Sequence, residues 1–215
     1  MDKKGLFITI EGGDGSGKTT VLSFVIERLR KEGYDIFLTR EPGGNKISEQ
    51  IRKIILDKNN TEEDKKTEAL LYAASRRQHM VETVFPLLDA GKIVISDRYI
   101  DSSLVYQGYA RGIGIDEVYG INMFATDGRL PDLTILFDIK PEEGLKRIAA
   151  HRGQDADRLD REKLEFHQRV HEGYQIIKER FKDRFSVVDA SKPLEEVEKE
   201  VYGILKTRID SYLGK

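Results

Sequence analysis

The chain alternates between two hydrophobic rhythms. Five short apolar runs read as buried strands: LFITI (6–10), DIFLT (35–39), KIVIS (92–96), LTILF (133–137) and FSVVD (185–189). Four of them are followed by segments whose apolar residues recur with helical spacing. Behind the first, Val21, Leu22, Val25, Ile26 and Leu29 mark one helical face, and Gly33 stands where that helix should stop. Apolar strands alternating with amphipathic helices predict a parallel sheet covered on both faces. The expected fold is α/β, a five-stranded parallel sheet flanked by helices. No repeat and no Pro/Ser-rich linker interrupts the 215 residues, so one domain over 1–215 is expected.

Ligands of such sheets sit at the carboxyl ends of the strands. The polar tips there read EGGDGSGKTT (11–20), TREPGG (39–44), SDRYIDSS (96–103), DIKPEEG (138–144) and DASKP (189–193). Pro141 is placed to open a helix, and Ser191 to cap the one that Pro193 opens.

Composition narrows the field. A net charge of −2 gives no field for nucleic acid or a membrane surface. The absence of cysteine removes disulfides, thiolate zinc sites and Cys nucleophiles. No N-terminal stretch resembles a signal peptide and no run is long enough to cross a bilayer, so a soluble cytosolic protein is expected. Charged residues reach 34%, which fits surface ion-pair networks or an ordinary polar surface equally.

The first tip carries chemistry. Gly12 to Thr19 fits G-x-x-x-x-G-K-[ST] between an apolar strand and a helix. Backbone N–H groups of such a loop converge on phosphate oxygens, and the helix N-terminus behind them favours negative charge. The nucleotide cradle is thus Gly12, Gly13, Asp14, Gly15, Ser16, Gly17, Lys18, Thr19 and Thr20. Lys18 is placed to reach the terminal phosphates, and the Thr19 hydroxyl to sit on Mg²⁺. Asp14 is an acid in the middle of an anion-binding loop, and the loop chemistry alone does not explain it.

Neither GTPase signature is present: Asn45-Lys46 is followed by Ile-Ser rather than x-Asp, and no D-x-x-G follows the third strand. A small-molecule phosphotransferase is the class that remains. It needs positive charge on the phosphoryl group in flight and an acceptor pocket. Asp97 and Arg98 end the third strand, where an acid can order a Mg²⁺ water shell and an arginine can bridge two phosphates. Tyr72 and Arg76 share a helix face, an aromatic plate beside a hydrogen-bonding fork. The polar stretch HRGQDADRLDR (151–161) reads as a lid able to bring Arg152 or Arg158 over the phosphates. His167 and His171 are four apart but have no third ligand, so a solvated helix face is expected for them. His79 and His151 carry no motif.

TREPGG, EALLYAASRRQH and above all DRYIDSSLVYQGYARG (97–112) resemble the thymidylate kinase family of nucleoside monophosphate kinases, and the likeness runs through DASKP. Val105 departs from the alanine usual there. The resemblance implies ATP–Mg²⁺-dependent phosphorylation of dTMP to dTDP, a mobile lid over 148–161 and a homodimer. It implies that Arg98 holds the dTMP phosphate, and that Arg40 and Glu41 face the phosphates and metal. Arg52 becomes a further acceptor contact. Tyr72 stacks on thymine, Arg76 and Ser103 meet the base edge, and Ser102 and Gln107 lie beside them. Tyr106 crowds the sugar 2′ carbon and disfavours ribose. Asp14 accepts from the acceptor's 3′-OH, so one loop touches both substrates. Thr19 and, through water, Asp97 hold the metal. Arg147 and the DASKP loop flank adenine. Some members place an arginine directly after that acid. Here the residue is Gly15, so the missing charge should come from the lid. Arg152 is favoured for that, with Arg158 anchoring or assisting.

Two other classes stay open at this level. A deoxynucleoside kinase would need a carboxylate base, Glu41 or Asp97. A non-catalytic nucleotide-binding regulator would bind ATP without turnover.

Overall fold

The computed structural model describes residues 5–151 and 158–215. Strands β1 (Leu6–Gly12), β2 (Ile36–Arg40), β3 (Ile93–Asp97), β4 (Leu133–Asp138) and β5 (Phe185–Asp189) form one parallel sheet in the order β2-β3-β1-β4-β5. This is the five-stranded parallel sheet that the apolar runs predict. The helices are α1 (Lys18–Lys31), α2 (Lys46–Leu56), α3 (Lys65–His79), α4 (Phe85–Asp89), α5 (Ile100–Ser103), α6 (Ile115–Thr126), α7 (Pro141–His151), α8 (Leu164–Arg180) and α9 (Leu194–Leu213).

The three central strands, β3, β1 and β4, are buried on both faces because they are apolar at successive positions, while the edge strands β2 and β5 are partly exposed. All of β1 is buried. Leu6, Ile8 and Ile10 enter a core shared with α1 and α9, while Phe7 points into a second core with α6 and α8. Strand period two thus splits one run between two layers. Pro141 does open α7. Ser191 does not cap α9: Pro193 holds the N-cap position, and the Ser191 hydroxyl donates to Asp189 Oδ1 at 2.6 Å.

Two features aim the site. Ile10 of β1 pairs with Asp97 of β3, and Arg40 of β2 pairs with the same residue, so three strand tips converge. Two helical stretches, Met80–Val84 and Leu104–Ala110, are π-helical. Such wide turns re-aim side chains and recur at functional sites. The second carries Tyr106 and Gln107.

Candidate active site

A cavity of about 780 Å³ lies over the carboxyl ends of the strands. Its floor is the Asp14–Thr20 segment, and its far wall includes Tyr72, Arg76, Ser103, Tyr106 and Gln107. Arg40, Glu41, Arg52, Asp97, Arg98, Ser102 and Arg147 also line it. The loop and the acceptor wall expected from sequence are therefore one continuous space.

At the floor, Lys18 is buried and donates to the carbonyls of Gly12 (2.9 Å) and Gly13 (3.0 Å) and to Ser16 Oγ (3.1 Å). Burial and the nearby Arg98 charge push its ammonium pKa down to about 8, against opposing pulls from Asp97 and Asp14. Thr19 donates its hydroxyl to Asp97 Oδ2 at 3.2 Å, while Asp97 Oδ1 is buried with no hydrogen-bond partner among the described residues.

Arg98 has a left-handed backbone, φ 71°, which is strained for a residue with a Cβ. Its N–H bonds to Ile10 O at 2.9 Å, which extends the β1–β3 ladder and swings the side chain across the loop. Nη2 donates to Asp14 Oδ1 at 2.6 Å, and the Tyr106 hydroxyl donates to Asp14 Oδ2 at 2.8 Å. Burial raises the Asp14 pKa, but Arg98 and Lys18 more than offset it, so the carboxyl is held below its ordinary value and ionised at neutral pH.

The far wall is more tightly tied. Arg76 is 2% exposed and donates to Glu41 Oε2 (2.6 Å), Ser103 Oγ (3.0 Å), Tyr99 O (3.0 Å) and Asn122 Oδ1. Glu41 gives its other oxygen to His79 Nδ1 at 2.9 Å. Gln107 Nε2 donates to the buried Glu68 at 2.8 Å, and Arg52 donates to Pro42 O at 2.9 Å. Arg40 pairs with Glu49 at 2.8 Å. At the opposite end, Arg147 bonds to Ala190 O at 3.0 Å, which brings α7 against the DASKP loop.

Comparison with known proteins decides the family. A family model described as thymidylate kinase matches residues 10–201. The chain belongs to the thymidylate kinase family. A thymidylate kinase of Bacillus velezensis is 60% identical over 90% of this chain and 91% of its own length. One from Oceanobacillus iheyensis is 54% identical over 94% of this chain and 90% of its own length. The crystal structure of thymidylate kinase from Ehrlichia chaffeensis superposes with a TM-score of 0.76 at 32% identity, covering 94% of this chain and 99% of that one.

The two arginines expected over the phosphates divide. Arg152 lies outside the described residues. Arg158 pairs with Glu63 (2.6 Å) and Glu68 (2.5 Å) and donates to Ile55 O (3.0 Å), so it ties the segment before α8 to α2 and α3. Gly15 has φ +72°, and a Cβ there would stand 2.1 Å from Gly144 O. The loop backbone is pressed against the first turn of α7, with no room for an arginine. Val105 is buried, and a Cβ on Gly173 would meet its Cγ1 at 3.1 Å: a glycine stands opposite the extra methyls.

Three residues at this site carry no sequence motif. Glu11 is fully buried beneath the loop and bonded to Tyr99 N, Ser102 and Tyr174. His79 bridges Thr39 and Glu41. His167, expected on a solvated face, is 5% exposed and sits with Nδ1 4.0 Å from Asp14. Its spacing gives a signal: His167, Val170, Tyr174 and Ile177 form the buried stripe of α8. His171 is half-buried and pairs with Asp138 instead.

Proposed function

We propose that the chain transfers the γ-phosphoryl group of ATP to dTMP, giving dTDP and ADP. One observation carries this reading: the phosphate loop, Arg98 and the Tyr72–Arg76–Gln107 wall line a single cavity. A donor held by its phosphates and a nucleotide acceptor fit that cavity end to end. An oxygen of the dTMP phosphate attacks the γ-phosphorus in line, and the bond to the bridging oxygen of ADP breaks. No general base is needed, because the acceptor is already an anion. The protein supplies position and charge. Lys18 and Arg98 offset the charge on the phosphoryl group in flight. Tyr72 stacks on the base, and Arg76, Ser103 and Gln107 line its edge. Asp14, anchored by Arg98 and Tyr106, has lone pairs left to accept from the sugar 3′-OH. Arg152 is the lid arginine assigned to the phosphates, and Arg158 anchors the lid end. The chain works as one domain with its lid at 148–161, in the cytoplasm.

Mg²⁺ fits this site. The Asp97 oxygen left without a partner and the adjacent Thr19 hydroxyl are hard oxygen donors of the kind this ion takes. Thr19 would hold it directly and Asp97 through water. When bound, the ion neutralises charge on the β- and γ-phosphates.

The deoxynucleoside kinase alternative asks for a free carboxylate base. Both oxygens of Glu41 are engaged, by Arg76 and His79, which leaves Asp97, with one oxygen on Thr19 and the other buried, as the candidate base of that alternative. ADP release is measured with dTMP, dUMP, UMP, dCMP, AMP and thymidine as acceptors. Turnover largely confined to dTMP is expected, and turnover on thymidine alone would overturn the acceptor-phosphate assignment.

A homodimer is part of the same reading. Phe124 is 86% exposed on α6, Leu70 is 56% exposed on α3, and Ile47 and Ile54 are 47% and 49% exposed on α2. Helix α3 packs against both α2 and α6, so these apolar groups stand on adjacent helices. Light scattering should give a dimer that Phe124→Asp converts to a monomer; a monomeric parent chain would sink the idea.

A further inference from the structure

Glu11 is fully buried at the end of β1, and every hydrogen bond it accepts leads to Arg98 or the residue beside it. Oε1 accepts from Tyr99 N at 2.8 Å, which fixes the peptide leaving the left-handed turn at Arg98. Oε2 accepts from Ser102 Oγ at 2.5 Å and from the Tyr174 hydroxyl at 3.0 Å. Those same two oxygens receive Arg98 Nη1, at 3.0 Å and 3.4 Å. Three elements thus converge on one carboxylate: the β3 tip, α5, and α8, which follows the lid.

We infer that Glu11 is a positioning residue for Arg98, clamping its strained backbone directly and its Nη1 edge through Ser102 and Tyr174. The Nη2 edge is left toward Asp14 and the cavity. Glu11 itself touches neither substrate. This rests on the reading that Arg98 holds the acceptor phosphate.

The surroundings of Glu11 set its charge state, and the clamp is complete when the carboxyl is ionised. Glu11 faces Asp101 of α5, Arg98, and Lys18 at the loop. Burial first, and Asp101 second, push its carboxyl up to about 7; the Ser102 bond and Arg98 pull the other way. Asp101 is itself held by Arg184 at 2.6 Å. An ionised Glu11 only accepts, so Ser102 and Tyr174 point their protons at it and offer lone pairs to Arg98. A neutral acid would have to donate one bond and reverse one of those relays.

The test is a double-mutant cycle on turnover with dTMP. Glu11→Gln keeps the shape and removes the charge. It should lower kcat on the order of 10²-fold, the scale of a misplaced catalytic group, with KM for ATP nearly unchanged. Arg98→Lys should also lower kcat, and the double variant should be no slower than Arg98→Lys alone. Losses that multiply, or Glu11→Gln at parent turnover, would overturn the inference. Parent turnover in Arg98→Lys would instead overturn the Arg98 reading. Should Glu11→Gln fail to fold, Tyr174→Phe cuts one relay and leaves the carboxylate. It should give a smaller loss in kcat that is likewise absent in the Arg98→Lys background, and unchanged kcat there would overturn the proposal.

Discussion

Two arginines line the cavity, and the protein treats them differently. Arg76 is 2% exposed, with four of its five N–H donors taken by Glu41, Ser103, Asn122 and Tyr99. Arg98 keeps 19% of its side chain exposed and rests on Asp14, a carboxylate that is itself in the cavity wall. The first is a fixed piece of wall. The second is a charge held at the cavity surface beside the Gly12–Thr19 loop. Burial and saturation fix the shape of the wall at Arg76. Partial exposure, and an Asp14 partner that itself lines the cavity, leave the Arg98 guanidinium reachable from that space although Ser102 and Tyr174 hold its other edge.

Substitutions should break this contrast in different observables. Arg76→Met leaves Glu41 buried without its main counter-charge, so denaturant unfolding should show a loss of about 3–5 kcal/mol. Arg98→Ala should act on the reaction instead. Turnover with dTMP should fall on the order of 10²–10³-fold, as for removal of one transition-state donor, while ATP affinity by calorimetry stays close to the parent. If Arg98→Ala costs more stability than Arg76→Met, the division of labour is wrong. Gly15→Ala should cost about 1–3 kcal/mol from the left-handed backbone alone, and the approach of Gly144 adds to it. Thermal melts and ATP affinity should fall together; a fully stable variant would mean that α7 yields. The smallest effect is a pH slope. Glu11 has a folded-state pKa near 7 against an ordinary 4.5, so it contributes stability below 4.5 that is lost as pH rises through 7. The melting temperature of Glu11→Gln minus that of the parent should therefore increase from about pH 5 to about pH 8. A flat difference would place Glu11 at an ordinary pKa.

The sheet and the phosphate loop were legible because each uses a local code. Apolar runs with period two or none mark strands, and the Gly12–Thr19 spacing marks the loop. Much of the remaining site was not, because buried polar groups are recognised by partners far away in sequence. Glu11 meets Tyr174, 163 residues on, and Glu41 meets Arg76 across 35. His167 and Glu68 stand on the buried stripes of α8 and α3, where a polar residue among apolar ones was the available sign. The π-helical turn at Leu104–Ala110 defeats a 3.6-residue reading altogether, since it shifts which side chains share a face. Ser191 misled because its helix begins at a proline and its hydroxyl prefers Asp189 two residues back.

The contact between Gly15 and Gly144 also limits how this sequence can change. A Cβ at Gly15 would come 2.1 Å from Gly144 O, and one at Gly144 would come 2.4 Å from Asp14 O. Neither position accepts a side chain while the other stays where it is, so the two glycines form one heritable unit. A single substitution therefore cannot place a cationic side chain at Gly15 of this loop. Helix α7 must first give ground, because its first turn already occupies the space a side chain would need.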